Sequence, residues 1–163
     1  MKILITAGGT REYVDDVRYL TNVSNGTLGR ELAYYFARGN DVTLLLSVNN
    51  REPIPPDFQS INVIPFTSTE DLMSQIKNLS EQSSWDMVFH CAAVSDYRPV
   101  RAVGKISSDN DEMVLRMEKT PKVISYMREW FGKKTFIVGF KLLSGSTPEQ
   151  LAQAAFLQME KNR

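Results

Sequence analysis

Residues 24–29, Ser-Asn-Gly-Thr-Leu-Gly, have the types and spacing of a phosphate-binding turn that opens a helix. They match the dinucleotide fingerprint G-x-G-x-x-G, except that Ser24 replaces the first glycine. Gly26 would let a phosphate approach the backbone, and Gly29 would let the helix pack closely on a sheet. Taken alone, the motif is equally consistent with a glycine-bearing helix start that binds nothing.

A polar insertion separates this turn from the apolar run at residues 2–7. In dinucleotide-binding folds the glycine loop follows the strand directly, whereas here residues 8–23 intervene, beginning with Gly8 and Gly9. The insertion carries six charged or amide residues: Arg11, Glu12, Asp15, Asp16, Arg18 and Asn22. Such a cluster at a strand end favours a functional site, with a solvated loop as the alternative.

Residues 90–97, His-Cys-Ala-Ala-Val-Ser-Asp-Tyr, form a second group at the end of an apolar run. The small side chains of Ala92 and Ala93 would let a base or ribose lie flat against the backbone. Asp96 would bind a sugar hydroxyl or a metal-bound phosphate. His90 and Cys91 lack the partner spacing of a zinc site or a catalytic dyad, so we interpret them as core or pocket-wall residues.

Lys105 follows in a Gly-Lys-Ile-Ser-Ser segment with little regular pattern. A single surface lysine is usually only solvated. A lysine in a glycine-bearing loop near a phosphate site is the more specific hypothesis, because its ammonium group would offset phosphate charge.

The apolar pattern predicts the elements that would position these groups. Short apolar runs predict strands at residues 2–7, 41–47, 61–66, 86–94 and 135–140, and those at 2–7, 41–47 and 135–140 are expected to be buried. Helices are predicted from Thr27 to Arg38, from Ser68 or Thr69 to about Ser80, from Thr120-Pro121 onward, and from Pro148 to Lys161. Residues 113–118 alternate like a half-buried strand, and the prolines in 49–57 predict a loop.

Strands that alternate with helices indicate a Rossmann-like, doubly wound α/β fold, with a mostly parallel sheet and helices on both faces. Ligands of such sheets bind beyond the carboxyl ends of the strands. The polar and small residues described above all fall at predicted carboxyl ends, so we expect them to form one site.

Composition limits the classes of function. The 163 residues suit one domain, and the zero net charge without a basic tract argues against nucleic-acid binding. The single cysteine fits a reducing compartment, and the N-terminal apolar run is too short for a signal peptide or a membrane span. We therefore expect a soluble, cytoplasmic protein that binds neither nucleic acid nor membrane.

The end of the second predicted strand argues against a nicotinamide-dependent oxidoreductase. Such an enzyme has an Asp or Glu there to hold the ribose, whereas residues 46–50 read Leu-Ser-Val-Asn-Asn. No tyrosine is followed by a lysine four positions later, as short-chain dehydrogenases require. An NAD(P)-dependent Rossmann oxidoreductase and a non-catalytic nucleotide-binding module stay as the alternatives.

Several motifs, taken in order, resemble the phosphopantothenate–cysteine ligases. They are ITAGGTRE (5–12), VRYLTNVSNGTLG (17–29), AAVSDYRP (92–99), KISS (105–108), KTPKVIS (119–125) and VGFKL (138–142). The chain resembles a stand-alone bacterial form of the ligase domain of the DNA/pantothenate metabolism flavoprotein family. The flavin-binding decarboxylase domain that is often fused to it is not part of the resemblance.

The resemblance implies an enzyme of coenzyme A biosynthesis. It would use CTP and Mg²⁺ or another divalent cation to convert the carboxylate of 4′-phosphopantothenate to an acyl-cytidylate. Cysteine would then attack this mixed anhydride to give the amide and CMP. ATP, which eukaryotic relatives favour, is the alternative nucleotide. The resemblance further implies a homodimer, and a separate flavin-dependent decarboxylase as a partner; it identifies no metal ligands.

Matching positions receive roles by the same resemblance. Asn22 would hydrogen-bond the acyl-cytidylate, Arg18 would support that step, and Lys105 would stabilise charge as pyrophosphate leaves. The nucleotide-binding positions would be Gly8, Gly9, Ser24, Gly26, Gly29, His90, Cys91, Ala92, Ala93, Asp96, Lys105, Pro121, Lys122, Val123, Ile124, Phe140 and Lys161.

The sequence departs from the family pattern in two places. Family members often have a second lysine four residues before the position of Lys161, where this chain has Leu157. They also continue into another strand and an Asn-Asp-containing loop. We therefore expect residues 1–163 to form a single nucleotide-binding ligase domain that lacks the C-terminal part of the family domain.

Overall fold

The computed structural model describes residues 1–49 and 53–162. The strands are β1 (Lys2–Ala7), β2 (Arg11–Tyr13), β3 (Tyr19–Thr21), β4 (Asp41–Ser47), β5 (Asn62–Phe66), β6 (Met87–His90), β7 (Tyr97–Pro99), β8 (Met117–Lys119) and β9 (Phe136–Gly139). The helices are α1 (Thr27–Ala37), α2 (Thr69–Gln82), α3 (Ile124–Phe131) and α4 (Pro148–Lys161), with a 3₁₀ turn at Pro56–Phe58.

The main sheet has the strand order β5-β4-β1-β6-β9, and each pairing between its described strands is parallel. Its central strand is β1. The apolar residues of β1 are buried because strands flank it on both sides and helices cover both faces of the sheet. Thr6 lies opposite Leu45 on one side and His90 on the other, and His90 in turn lies opposite Gly139. The carboxyl ends of these four strands therefore meet at one edge.

Alternate residues of the sheet pack against helices on opposite faces. Ile3 and Ile5 belong to a core cluster with Ala33 of α1. Leu4 belongs to a second cluster, with Leu72 of α2 and Met127 of α3. The predicted Rossmann-like fold, with a parallel sheet covered on both faces, is thereby confirmed.

Two small antiparallel ribbons lie outside the main sheet and were not predicted. One pairs β2 with β3, and the other pairs β7 with β8. The half-buried strand predicted at 113–118 was wrong for residues 113–116, since only Met117–Lys119 form a strand and all three residues are exposed. The alternation in the sequence therefore does not mark a face that packs on the core.

Two predicted boundaries were also wrong. The strand predicted at 86–94 ends at His90, because the following residues leave the sheet to meet the loop after β1. The helix predicted from Thr120-Pro121 begins at Ile124. Thr120 is held instead by its hydroxyl, which donates to the carbonyl of Ser95. Residues 50–52 of the predicted loop lie outside the described residues.

The last helix, α4, agrees with the prediction from Pro148 to Lys161. Thr147 accepts a hydrogen bond from the backbone N–H of Gln150, whose side chain accepts in return from the backbone of Thr147, which is a capping box. Among the described helices, none combines the length and the apolar character needed to cross a bilayer.

Candidate active site

The loop after β1 turns sharply at Gly8 and Gly9 against the end of β4. Gly8 has φ +91°, and a Cβ there would lie 2.6 Å from the Cβ of Ser47, so a side chain would be excluded twice over. The carbonyl of Gly9 accepts from the Ser47 hydroxyl at 2.6 Å and from Asn49 Nδ2 at 3.2 Å. The turn is thereby fixed by the neighbouring strand.

Residues 8–10 also pair with the segment that follows β6. The N–H of Ala93 donates to the carbonyl of Gly8 at 2.9 Å. Asn22 Nδ2 donates to the carbonyl of Ala93 at 3.2 Å. A Cβ on Gly9 would lie 2.7 Å from the carbonyl oxygen of Asn22. We call Gly8, Gly9, Asn22 and Ala93 the Gly9–Ala93 junction; the structure brings together residues 71 positions apart.

Asn22 reaches the junction from the β2–β3 ribbon, which a second set of contacts holds in place. Asn49 Nδ2 donates to the hydroxyl of Thr21 at 3.1 Å. The guanidinium of Arg11 donates to the side-chain oxygen of Asn49 and lies 4.5 Å from the ring centroid of Tyr19. Asn49 occupies the strand end where a nicotinamide enzyme has its ribose-binding acid, and its amide is engaged by the junction.

Helix α1 begins at the same edge. Gly26 is its N-cap residue with φ +72°, and the N–H of Thr27 donates to Asn25 Oδ1 at 3.2 Å. A Cβ on Gly29 would lie 2.6 Å from the Cβ of Ala7 and 2.9 Å from the carbonyl of Thr6. The helix N-terminus therefore presses against the end of β1, where its positive end favours an anion.

The segment that carries Lys105 is tied to the loop before β3. The carboxylate of Asp15, which is fully buried, accepts from the N–H groups of Val17, Arg18 and Ile106 at 2.9, 2.7 and 3.1 Å. Arg18 Nη2 donates to the carbonyl of Ile106 at 2.9 Å. The side chain of Lys105 is exposed between these anchored neighbours.

Two opposing effects act on the carboxyl group of Asp15. Burial raises its pKa, but the backbone hydrogen bonds from Val17, Ile106 and Arg18, with the Arg18 charge, lower it further than burial raises it. The pKa therefore lies below its ordinary value, and the group is an anion at neutral pH.

The segments around Asp96 and Lys122 are joined by three contacts. Their side chains form an exposed ion pair, the N–H of Thr120 donates to the carbonyl of Asp96 at 3.0 Å, and the Thr120 hydroxyl donates to the carbonyl of Ser95. A polar pair thus stands beside the Ala92–Ala93 segment.

His90 and Cys91 stand at the end of β6. Burial lowers the pKa of His90 to about 4, and its Nδ1 lies 3.0 Å from the Thr6 hydroxyl. Burial raises the pKa of the Cys91 thiol to about 12, so the thiol is protonated at neutral pH. Neither group is poised as a catalytic nucleophile or base, which agrees with the interpretation as core or pocket-wall residues.

Residues 1–162 match the family described as DNA/pantothenate metabolism flavoprotein C-terminal domain. The chain belongs to this family. The coenzyme A biosynthesis bifunctional protein CoaBC of Thermococcus kodakarensis is 34% identical over 161 residues, which are 98% of this chain and 38% of that protein. The chain thus spans less than two fifths of the length of this relative, and the family predicted from the motifs is confirmed.

Two solved structures of family proteins have the same fold. The DNA/pantothenate metabolism flavoprotein from Streptococcus pneumoniae superposes with a TM-score of 0.88 at 31% identity, over 99% of this chain and 78% of that chain. The C-terminal domain of a coenzyme A biosynthesis bifunctional protein CoaBC superposes with a TM-score of 0.77 at 26% identity, over 97% of this chain and 72% of that chain.

Apart from Lys105, which lies on the segment described above, the residues that were predicted to bind the nucleotide or the acyl-cytidylate fall into two sets. One set stands at or beside the Gly9–Ala93 junction: Gly8, Gly9, Asn22, Ser24, Gly26, Gly29, His90, Cys91, Ala92, Ala93 and Asp96. The other lies in or next to α3, β9 and α4 and comprises Pro121, Lys122, Val123, Ile124, Phe140 and Lys161, of which Lys122 pairs with Asp96. Val123 is buried, Ile124 lines an apolar groove of about 460 Å³, Phe140 is exposed, and Lys161 lies in the last turn of α4. No described hydrogen bond joins Phe140 or Lys161 to the junction.

Sequence reasoning missed a buried polar network behind the junction. The Thr10 hydroxyl donates to Ser95 Oγ at 3.2 Å, and Thr69 donates to Glu12 Oε1 through its hydroxyl at 2.6 Å and its N–H at 3.0 Å. Glu12, only 4% exposed, thereby caps the start of α2. The polar insertion after β1 was the available signal, but its partners lie far away in sequence.

The described residues include no group of three or more His, Cys, Asp or Glu side chains that could hold a metal ion. Mg²⁺ typically keeps several waters and binds through one or two carboxylates together with substrate phosphates. The exposed carboxylate of Asp96, which pairs with Lys122, is a possible oxygen ligand of this kind at this edge of the sheet. These residues fit an Mg²⁺ ion carried on nucleotide phosphates better than one held in a protein cage.

Proposed function

We propose that this family domain is a phosphopantothenate–cysteine ligase of coenzyme A biosynthesis. The observation that carries the proposal is the Gly9–Ala93 junction at the carboxyl edge of a Rossmann-like sheet. There the Asn22 side chain is hydrogen-bonded to the backbone of Ala93, which pairs with Gly9. Relatives of this family domain are named coenzyme A biosynthesis bifunctional proteins. The substrates would be 4′-phosphopantothenate, cysteine and CTP.

In the first step, a carboxylate oxygen of phosphopantothenate attacks the α-phosphorus of CTP, and pyrophosphate leaves. The start of α1, with Ser24, Gly26 and Gly29, would hold phosphate through backbone N–H groups. Lys105, supported by the loop of Arg18, would offset the charge that develops on pyrophosphate. Ala92, Ala93 and Asp96 would hold the nucleoside, so that the reacting atoms are held in line.

In the second step, the amine of cysteine attacks the acyl carbon of the acyl-cytidylate, loses a proton, and CMP leaves. Asn22 would hydrogen-bond the acyl-cytidylate through an amide that the junction already orients. No enzyme nucleophile is needed. The raised pKa of Cys91 and the lowered pKa of His90 fit a site that works by orientation and charge rather than by covalent catalysis.

Asp96 would contact the complex of CTP with Mg²⁺, and the ion would offset negative charge on the phosphates. We further propose that the protein is a cytoplasmic homodimer, and that a separate flavin-dependent decarboxylase uses its product. Pro121, Lys122, Val123, Ile124, Phe140 and Lys161 complete the proposed nucleotide contacts.

The test is an incubation with Mg²⁺, 4′-phosphopantothenate and either CTP or ATP, with and without cysteine. Pyrophosphate is measured by a coupled assay and the products by mass spectrometry. The expected result is pyrophosphate release with CTP that requires phosphopantothenate, and an amide product that requires cysteine. Pyrophosphate release with ATP but not with CTP would show that ATP is the nucleotide substrate. No release with either nucleotide would refute the proposed ligase activity.

A further inference from the structure

The carboxylate of Asp15 divides its two oxygens between two different parts of the chain. Oδ1 accepts from the N–H groups of Val17 and Arg18, which closes the local turn before β3. Oδ2 accepts from the N–H of Ile106 at 3.1 Å, 91 residues away. Arg18 Nε lies 3.7 Å from the same oxygen.

A turn alone does not explain this arrangement. One oxygen is sufficient for a turn of the Asx type, and such turns are normally found at the surface. Asp15 is instead fully buried, and a buried carboxylate is costly unless each of its oxygens is compensated. The contact with Ile106 supplies that compensation from the loop of residues 104–106, which we call the Lys105 loop.

The Lys105 loop is held from two directions. The N–H of Ile106 is bound by Asp15, and its carbonyl is bound by Arg18 Nη2. On the other side of Lys105, the carbonyl of Gly104 accepts from the N–H of Asp16 at 3.4 Å. The backbone on either side of Lys105 is therefore fixed, while the side chain of Lys105 stays exposed.

The same ribbon that anchors this loop also carries Asn22. Only the three residues of β3 separate Arg18 from Asn22, so the two lie ~13 Å apart along an extended chain. Asn22 is bound at the Gly9–Ala93 junction, and Arg18 is bound at the Lys105 loop. One short strand thus sets the separation between the two.

We propose that Asp15 is a positioning residue for the activation step: with Arg18, it ties the Lys105 loop to the β2–β3 ribbon and fixes the separation between Lys105 and Asn22. The proposal rests on the proposed ligase function. Asp15 itself touches no substrate. Its low pKa fits this role, since only the anion accepts from all three N–H groups.

The discriminating variant is Asp15→Asn. Backbone N–H groups point at both oxygens, so an amide must turn its NH₂ toward one of them. The two donors from the local turn favour keeping the amide oxygen there, which breaks the contact with Ile106. We expect hydrogen exchange at the Ile106 amide to quicken by at least about tenfold, on the scale of a hydrogen bond to a charged group. Exchange at Val17 and Arg18 should change less.

The kinetic expectation is specific to one step. The kcat/KM for CTP in pyrophosphate release should fall about tenfold or more, with the KM for cysteine unchanged. The matched control is Asp16→Asn, which removes the same charge from the adjacent residue. The Asp16 side chain pairs with Arg101, and the backbone N–H of Asp16, which binds the carbonyl of Gly104, is kept in this variant. That variant should stay within about twofold of wild type in both measurements.

A second variant guards against misfolding. Ile106 lies outside the helices and strands, so Ile106→Pro removes its N–H donor without breaking a regular element. The Asp15 carboxylate stays intact. The variant should slow pyrophosphate release as Asp15→Asn does, while the amides of Val17 and Arg18 keep their protection. Wild-type release in this variant would overturn the positioning role even if Asp15→Asn proved unstable.

The remaining outcomes separate the two claims. Normal pyrophosphate release in a folded Asp15→Asn protein would overturn the positioning role, whether or not Ile106 exchanges faster. Equal losses in Asp16→Asn and Asp15→Asn would also overturn it, because net charge would then account for both. A wild-type protein that releases no pyrophosphate with either nucleotide would refute the proposed function itself.

Discussion

The carboxyl edge of the main sheet is built differently on its two sides. On the junction side, beyond β1, β4 and β6, the polar groups of Thr6, Thr10, Ser47 and Ser95 are buried and hydrogen-bonded across long sequence separations. On the β9 side, α4 buries none of its residues, all of which the structure describes, and an apolar groove of about 460 Å³ lies open between α3, β9 and α4.

This difference separates two kinds of predicted site residue. Asn22, Ala93 and the Lys105 loop are held by contacts from several elements, so their geometry is preorganised before any ligand binds. Phe140 and Lys161 stand on exposed positions that the described contacts do not tie to the junction. A substitution on the junction side should therefore reduce the activity or the free energy of unfolding more than a similar substitution on the β9 side.

The largest expected effect concerns the buried His90. Its pKa of about 4 in the folded protein is below the ordinary 6.5, so between these values only the unfolded chain takes up a proton. The contribution of His90 to the free energy of unfolding should therefore be fully present above pH 6.5. It should fall by about 3 kcal/mol as the pH drops to 4. Urea unfolding at several pH values would measure this. In His90→Asn the loss should be smaller; parallel curves for both proteins would contradict the prediction.

Asn22→Asp should reduce amide formation about 100-fold. The variant loses the donor to the Ala93 carbonyl and, in the proposed mechanism, places an anion beside the phosphate of the acyl-nucleotide. The circular dichroism spectrum and melting temperature should change little, because the Asn22 side chain is exposed. Turnover equal to wild type in a folded variant would remove Asn22 from the proposed mechanism.

Two glycines offer a matched comparison of the packing on the two sides. In Gly29→Ala the new methyl would meet the Cβ of Ala7 and the carbonyl of Thr6, which cannot move cheaply, so the free energy of unfolding should fall by about 2 kcal/mol. In Gly139→Ala the neighbours are the flexible ends of Ile124 and Gln158 beside the groove. The cost should be less than about 1 kcal/mol. Equal losses in the free energy of unfolding for the two variants would contradict the proposed difference in packing between the two sides.

The smallest effects are expected from two lysines. Lys105→Gln should slow pyrophosphate release about tenfold, because in the proposed mechanism the anchored loop holds the Lys105 charge near the leaving group. Lys161→Gln should raise the KM for CTP by no more than about threefold, on the scale of an exposed charge. Steady-state kinetics of both variants would test this, and a larger loss in Lys161→Gln would place the β9 side at the centre of nucleotide binding.

The sequence predicted most of the main sheet, although the burial expected for the last strand was wrong, since β9 has no buried residue. The runs at 2–7 and 41–47 became β1 and β4 because continuous apolar residues require burial on both faces, and a parallel sheet supplies it. The prediction failed where side-chain contacts from distant residues decide the backbone. Thr120 reads as a helix start, yet its hydroxyl binds Ser95 and the helix begins only at Ile124.

The sequence identified residues that the structure brings to one edge of the sheet, but it did not predict their geometry. Small residues and glycines at strand ends identified the Gly8-Gly9 turn and the Ala92–Ala93 segment, because only small residues allow close backbone approach. Glu12 was identified only as one of the charged residues of the insertion, and Asn49 was not identified as a site residue, because the local sequence does not reveal their partners Thr69 and Thr21.

By itself, the sequence determined the fold class and the family, because periodicity and motif order are local properties of the chain. Only the tertiary structure decided that Asp15 is buried and bridges to Ile106, and that Asn22 meets Ala93. These pairings depend on strand order and register, which bring residues far apart in sequence to one edge of the sheet. The Asp15 pairing is fixed because a buried carboxylate stays uncompensated unless it finds such a partner.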